Sequence, residues 1–241
     1  MTAIRADDIS KDYGEVHALD GLSLTVDSGE FFGLLGPNGA GKTTTIQLLT
    51  GQLVPDAGTM EVLGVDPAAE PVEVRRNVGI LPEQESPPSF LTPREYFDFV
   101  GTVRDLDREV LLDRVDTWTD RLDFAEKLDT LNTDLSRGQQ QKVMLTATFL
   151  HEPAAVFIDE PLVNLDPIMQ ERVKRYLEGY VDNGNAIFLS THDIEVAERL
   201  CSHVGIVREG RLVAERKPGS LSDGESLLDT FVADVEGGAT L

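Results

Sequence analysis

Residues Gly36-Pro37-Asn38-Gly39-Ala40-Gly41-Lys42-Thr43-Thr44 carry the spacing G-x-x-x-x-G-K-T and follow directly on the apolar run Phe31-Phe32-Gly33-Leu34-Leu35. Glycines at 36, 39 and 41 let successive backbone N–H groups turn into one concavity. Ile46, Leu48 and Leu49, ahead of Gly51, predict a helix from Thr43 to Thr50. Its unpaired N-terminal donors face the same concavity, which makes the stretch a cradle for phosphate. Lys42 adds a full positive charge, and Thr43 a hydroxyl suited to Mg²⁺.

Two further strand ends carry reactive side chains. The apolar run Ala154–Ile158 ends in Asp159-Glu160-Pro161. Acids at the C-terminal end of a buried parallel strand lie where open α/β sheets bind ligands. In a nucleotide site the first orients Mg²⁺ and the second accepts a proton from attacking water. Without the upstream cradle the pair would read as an exposed acidic turn. Ala186–Leu189 ends in Ser190-Thr191-His192-Asp193. His192 is either a satisfied structural residue or a hydrogen-bond donor to a terminal phosphate. Ser136, in Leu135-Ser136-Arg137-Gly138-Gln139, caps a helix continued by Val143, Leu145, Ala147 and Leu150. Most such caps are structural, although the helix start is also a second anion site. Tyr13, in the turn Lys11–Glu15, is a core anchor or an aromatic that stacks on adenine, and the local pattern alone favours the core.

The elements needed to hold these residues alternate strand and helix. Ala3–Ile9 and Leu22–Val26 predict half-buried antiparallel strands, Thr59–Gly64 a short strand and Val78–Leu81 another. The last ends in a proline-rich loop. From Pro93 to about Leu131 no strand pattern occurs. Thr92-Pro93-Arg94-Glu95 starts one helix, with Tyr96, Phe97 and Val100 on one face, and Val110, Leu111, Val115 and Trp118 mark a second. Residues 84–138 therefore read as a helical subdomain inserted into a sheet domain. A helix from Pro167 to Tyr180, a hairpin of Val204–Val207 with Arg211–Ala214, and a helix from Gly219 to Val235 complete the chain. The fold class is α/β, a mainly parallel sheet with an N-terminal antiparallel β-subdomain and the helical insertion.

A chain of 241 residues with 41% hydrophobic content buries one sizeable core. It has no apolar run of membrane-spanning length and no basic-then-apolar leader, so the expectation is a cytoplasmic protein without direct membrane insertion. Cys201, the single cysteine, reads as a small core residue. The net charge of −22, from 43 acids against 21 bases, repels phosphate backbones and argues against nucleic-acid partners. Self-repulsion of that size suits a high-salt cytosol, and acid-rich composition is a halophile device.

Cradle, Ser-x-Gly-Gln cap, strand-Asp-Glu and strand-His, in this order, resemble the ATP-binding subunit of ABC transporters over nearly the whole chain, 1–241, with 218–241 as a C-terminal helix and tail. By that resemblance Gly36, Asn38, Gly39, Gly41, Lys42, Thr43 and Thr44 belong to the Walker A motif and Leu135–Gln139 to the signature. Glu160 is the catalytic glutamate after Asp159, His192 the switch histidine, Asp166 the D-loop aspartate, and Tyr13 the adenine-stacking aromatic, which reverses the local reading. The resemblance implies an ATP hydrolase with Mg²⁺ held by Thr43 and Asp159. It also implies a head-to-tail dimer in which Ser136, Gly138 and Gln139 complete the partner's site, and a transmembrane permease that keeps the protein peripheral on the inner membrane face. Three departures stand out. Glu83 occupies the Q-loop and metal-contact position with Gln84 beside it, Arg137 replaces a small signature residue, and Leu162-Val163 replaces a polar pair. The first two resemble the ABC-2 group of exporters. A soluble ABC-type switch on ribosomes or DNA is the alternative, disfavoured by the acidity and by the lack of a second cassette or coiled-coil insertion.

Overall fold

The computed structural model describes residues 1–83, 86–160, 164–220 and 226–236. β1 (Thr2–Tyr13) and β2 (Val16–Asp27) pair antiparallel, with Tyr13 opposite Val16. The turn is shorter than Lys11–Glu15: Gly14, at φ 65°, supplies the left-handed residue of a tight hairpin, so Lys11 to Tyr13 remain in the strand. β3 (Phe31–Leu35) leads through the glycine-rich loop into α1 (Lys42–Leu49), one residue earlier than predicted at each end. Next come β4 (Ala57–Val62), α2 (Pro71–Asn77) and β5 (Val78–Leu81). β4 stops short of Gly64 because Leu63 and Gly64, at φ 52° and 82°, turn the chain.

Helices then take over. α3 (Pro93–Val103) opens with the predicted cap: Glu95 N–H donates to Thr92 Oγ1 at 3.3 Å, and Thr92 N–H to the Glu95 carboxylate at 2.8 Å. α4 (Arg108–Leu122), two 3₁₀ turns and α5 (Arg137–Phe149) follow, and no strand occurs among the described residues from 86 to 136. β6 (Ala155–Asp159), α6 (Pro167–Asp182), β7 (Ala186–Thr191), α7 (Ile194–Leu200), the hairpin β8 (His203–Arg208) and β9 (Arg211–Arg216), and α8 (Leu227–Glu236) complete the order. The C-terminal helix does not begin at Gly219. Pro218–Ser220 is a 3₁₀ turn, and Ser226 sets the helix start by accepting the Asp229 N–H at 3.1 Å on its hydroxyl.

The strands form a three-stranded antiparallel sheet, β2-β1-β4, and a six-stranded sheet, β5-β6-β7-β3-β8-β9, parallel except for β9. Every residue of β3, β6 and β7 is buried, which explains their unbroken apolar runs. Alternate side chains enter two cores. Phe31, Leu35, Val156, Ile158, Ile187 and Leu189 face the helices α3 to α7. Phe32, Phe157 and Phe188 face α1 and the three-stranded sheet, with Phe32 and Phe188 stacked at 5.4 Å. Cys201 is buried in the first of these cores, as its isolation suggested. The central strand β3 therefore ends at the glycine-rich loop with β7 and β8 beside it, and the C-terminal ends of β6 and β7 open on the same edge.

Candidate active site

The loop after β3 is held from several sides. Gly36 lies so close to β8 that a Cβ there would meet Val207 O at 2.3 Å. Ala40 O accepts the Gly210 N–H at 3.1 Å, and Asp20 N–H reaches Gly210 O at 3.0 Å, so the β8–β9 turn and β2 brace it. Gly41, at φ 105°, is the N-cap of α1, a conformation only glycine adopts without strain. Asn38 and Gly39 are exposed at the loop tip and Thr44 is half-buried. Lys42 is 8% exposed, and its Nζ donates to Gly36 O at 2.8 Å and Pro37 O at 3.2 Å. Burial pulls its pKa down, against the opposing charges of Glu160, Asp159 and Glu83. The same effect puts Glu83 in electrostatic reach of the lysine.

Parallel pairing sets Asp159 opposite Ser190. The Asp159 carboxylate accepts from Ser190 Oγ at 2.7 Å and, through its other oxygen, from Thr43 Oγ1 at 2.9 Å. Glu160, at φ 53°, turns off the strand. One of its oxygens accepts from Thr191 Oγ1 at 3.0 Å; the other accepts from His192 N–H at 2.9 Å and lies 2.6 Å from His192 Nδ1. Both carboxylates are buried, at 6% and 8%, while the His192 side chain is 61% exposed. Ser190 and Thr191 are site residues that sequence reasoning passed over. The available signal was two hydroxyls ending an apolar strand immediately before His192.

The structure thus brings Lys42, Thr43, Asp159, Glu160 and His192 together, with Glu83 near. Among the described residues, no hydrogen bond or ion pair joins Ser136, Gly138, Gln139 or Asp166 to that cluster. Ser136 and Gln139 form a capping box at the start of α5, with Ser136 N–H donating to Gln139 Oε1 at 2.9 Å and Gln139 N–H to Ser136 Oγ at 3.3 Å. Gly138 packs against Asn164, whose carbonyl oxygen a Cβ would meet at 2.8 Å. Asp166 caps α6, accepting the N–H groups of Ile168 and Met169 at 3.0 Å each. Tyr13 is 48% exposed, so it is no core anchor, and Arg137 is exposed. Gln84, Leu162 and Val163 lie outside the described residues.

A donor-lined loop between the central strand and a helix, with a buried lysine and two acids at the adjacent strand end, defines a P-loop nucleoside triphosphatase. The ABC transporter family profile matches residues 19–163. The chain belongs to the ABC transporter family, as its ATP-binding and ATP-hydrolysing subunit. It is 34% identical to Nod factor export ATP-binding protein I of Rhizobium etli, over 99% of this chain and 75% of that one. A solved ATP-binding subunit of an ABC transporter superposes with a TM-score of 0.90 at 30% identity, over 97% of this chain and all of the other. A dimeric ATP-binding cassette in a post-hydrolysis state bound to ADP and Pi shares the fold, with a TM-score of 0.81 at 22% identity, over 89% of this chain and 98% of that one. Among the described residues no helix is long and apolar enough to cross a membrane.

Proposed function

We propose that this subunit drives export through a separate transmembrane permease of the ABC-2 type, with two copies closing head to tail on ATP. The observation that carries the reading is that, among the described residues, no hydrogen bond or ion pair joins the cluster around Lys42 and Glu160 to Ser136 and Gly138, although these present a helix N-terminus suited to an anion. In the closed pair each supplies what the other's site lacks. The dimeric cassette holding ADP and Pi, and the export role named for the Rhizobium protein, support the same assembly.

Within one site, the Gly36–Thr44 loop and Lys42 bind the phosphates and Tyr13 stacks on the base. Thr43 Oγ1 and Asp159, 2.9 Å apart, are hard oxygen donors that fit Mg²⁺, an ion that binds one or two protein oxygens and fills its shell with phosphate and water. The ion would neutralise charge on the phosphates. Glu83, whose charge acts on Lys42, would be a further oxygen donor. Glu160, fixed by Thr191 and His192, accepts the proton of the attacking water, and His192 hydrogen-bonds the terminal phosphate. Ser136, Gly138 and Gln139 of the partner complete the site, and Asp166 fixes the D-loop at the start of α6.

Residues 84–138 act as the helical subdomain that meets the permease. A groove of about 180 Å³ is lined by Ile80, Tyr96, Phe99, Val100, Arg104 and Met144. Phe99 and Val103 in its lining are 58% and 54% exposed, and exposed apolar surface marks a partner site. Docking there places the protein at the inner face of the membrane.

The test is Glu160→Gln. It should keep ATP affinity, accumulate dimer on ATP and lower kcat by about 100-fold or more, because the proton acceptor is lost while the cradle stays. Turnover near the wild-type rate would remove Glu160 from the role, and dimer-free turnover would remove the head-to-tail site.

A further inference from the structure

Asn132 is fully buried, 0% exposed, and opens the 3₁₀ turn Asn132–Asp134 just before Ser136. It is the meeting point of two segments far apart in sequence. Its N–H donates to Leu91 O at 2.9 Å and its Nδ2 to Pro88 O at 3.0 Å, while the next residue's N–H, Thr133, donates to Ser89 O at 3.3 Å. From the other side, Gln140 Nε2, one turn into α5, donates to Asn132 O at 2.8 Å. Residues 88–91 are thereby tied to the N-terminal turn of the helix that presents Ser136 and Gly138.

The amide at this position is only half satisfied. Asn132 Oδ1 is buried with no hydrogen-bond partner among the described residues. Such an acceptor is costly, and an apolar side chain of the same shape would avoid the cost. What the apolar side chain would lose is the Nδ2 donor to Pro88. That bond leads to the loop that enters α3, and Tyr96 and Phe99 of that helix line the apolar groove.

We propose that Asn132 is a positioning residue for ATP hydrolysis: with Gln140 it locks segment 88–91 to the start of α5, so that movement of the permease-facing loop carries Ser136 and Gly138 with it. This rests on the reading that Ser136 and Gly138 complete the partner's site. Asn132 touches no nucleotide and acts through the orientation of that helix start. The side-chain bonds of Asn132 and Gln140 lie on opposite sides of one residue and act in series, while the backbone bonds of Asn132 and Thr133 to Leu91 and Ser89 hold the rest of the segment. Losing either side-chain bond loosens the coupling of Pro88 to the helix start, and losing both loosens it no further.

The experiment compares wild type, Asn132→Leu, Gln140→Met and the double variant. Each single variant should lower kcat about tenfold, the scale of one hydrogen bond. The double variant should fall no further than the weaker single, a non-additivity that marks a shared linkage. Mg-ATP affinity of the isolated monomer should stay within about twofold, because Lys42, Thr43 and Asp159 are untouched. In a Glu160→Gln background, the ATP needed for half-maximal dimer should rise about tenfold on adding Asn132→Leu. Near-wild-type kcat in the singles, losses that multiply in the double, or a parallel fall in monomer affinity would each overturn the proposal. If Asn132→Leu does not fold, Gln140→Met alone decides it, and unchanged turnover there rejects the linkage. A wild-type protein that hydrolyses ATP without dimerising would instead overturn the head-to-tail reading, and this proposal with it.

Discussion

Glu160 holds a backbone conformation, φ 53°, that costs a non-glycine residue about 1–3 kcal/mol unless its surroundings impose it. Here they do. Its N–H donates to Ser190 O at 3.1 Å, and Thr191 and His192 hold both carboxylate oxygens. The proposed proton acceptor is thus oriented by the protein's own groups, which is the arrangement general-base catalysis needs. A half-buried histidine works differently. The ring of His151 donates through Nε2 to Val78 O at 3.1 Å, while Nδ1 is buried without a hydrogen-bond partner among the described residues. Burial first, then the positive charges of Arg104 and Arg114 against the help of the Val78 carbonyl, hold its pKa down to about 4 from 6.5. Between those values the unfolded chain binds the proton and the folded one does not, so stability rises with pH across the window. The contribution is complete above the unfolded pKa and is lost as pH falls toward the folded one. His151→Gln should therefore lose less stability than wild type between pH 7.5 and 5.5, by about 1 kcal/mol, in paired denaturant titrations. Equal losses in the two proteins would show that His151 titrates normally.

At the scale of elements, the start of α5 has two jobs that substitutions can separate. The Ser136 hydroxyl caps the helix by accepting the Gln139 N–H, and the same N-terminus is the proposed anion site for a partner's phosphate. Ser136→Ala should cost about 1 kcal/mol of stability by removing the cap, and lower turnover as well. Ser136→Asp keeps a cap acceptor and suits the helix dipole, so thermal stability should hold, while its charge repels phosphate and turnover should collapse. If the aspartate variant hydrolyses ATP as well as wild type, α5 does not face a nucleotide. The cap itself was legible in the sequence, as were β3, β6 and β7, because strands buried on both faces leave unbroken apolar runs. The cradle and the acids at 159 and 160 were legible for a related reason: their spacing is local. The hydroxyls of Ser190 and Thr191 took on meaning only through the pairing of β6 with β7, a property no local window contains. α2 escaped notice because Val74 is the single residue it buries, too little for a periodic signal. The turn-like composition of Lys11 to Glu15 places Tyr13 in a turn, whereas the hairpin needs only Gly14 and Glu15 for its reversal.

For the molecule as a whole, charge is the property the site does not explain. The chain carries −22, and the exposed acids Asp8, Asp12, Asp20 and Asp27 lie on the β1–β2 hairpin alone. Several ion pairs offset part of this, among them Lys11–Asp56 at 3.0 Å and Arg94–Asp129 at 2.7 Å, yet these are surface pairs of small individual value. Net self-repulsion remains, and it opposes both folding of one chain and closure of two chains of the same sign. Screening lengthens or shortens its reach: the Debye length is about 10 Å at 0.1 M salt and about 3 Å at 1 M. The melting temperature should accordingly rise with KCl, steeply below about 1 M and more slowly above it. In the Glu160→Gln variant, the ATP concentration needed for half-maximal dimer should fall over the same range. Sodium perchlorate, which screens equally but does not favour burial, separates the two sources of the effect: a rise in both salts at low concentration assigns it to charge, and a rise in KCl alone assigns it to exclusion of that salt from the surface. A melting temperature independent of salt would mean that the carboxylates are spaced widely enough for repulsion to be negligible, and the acidity would then need a reason outside the stability of this fold.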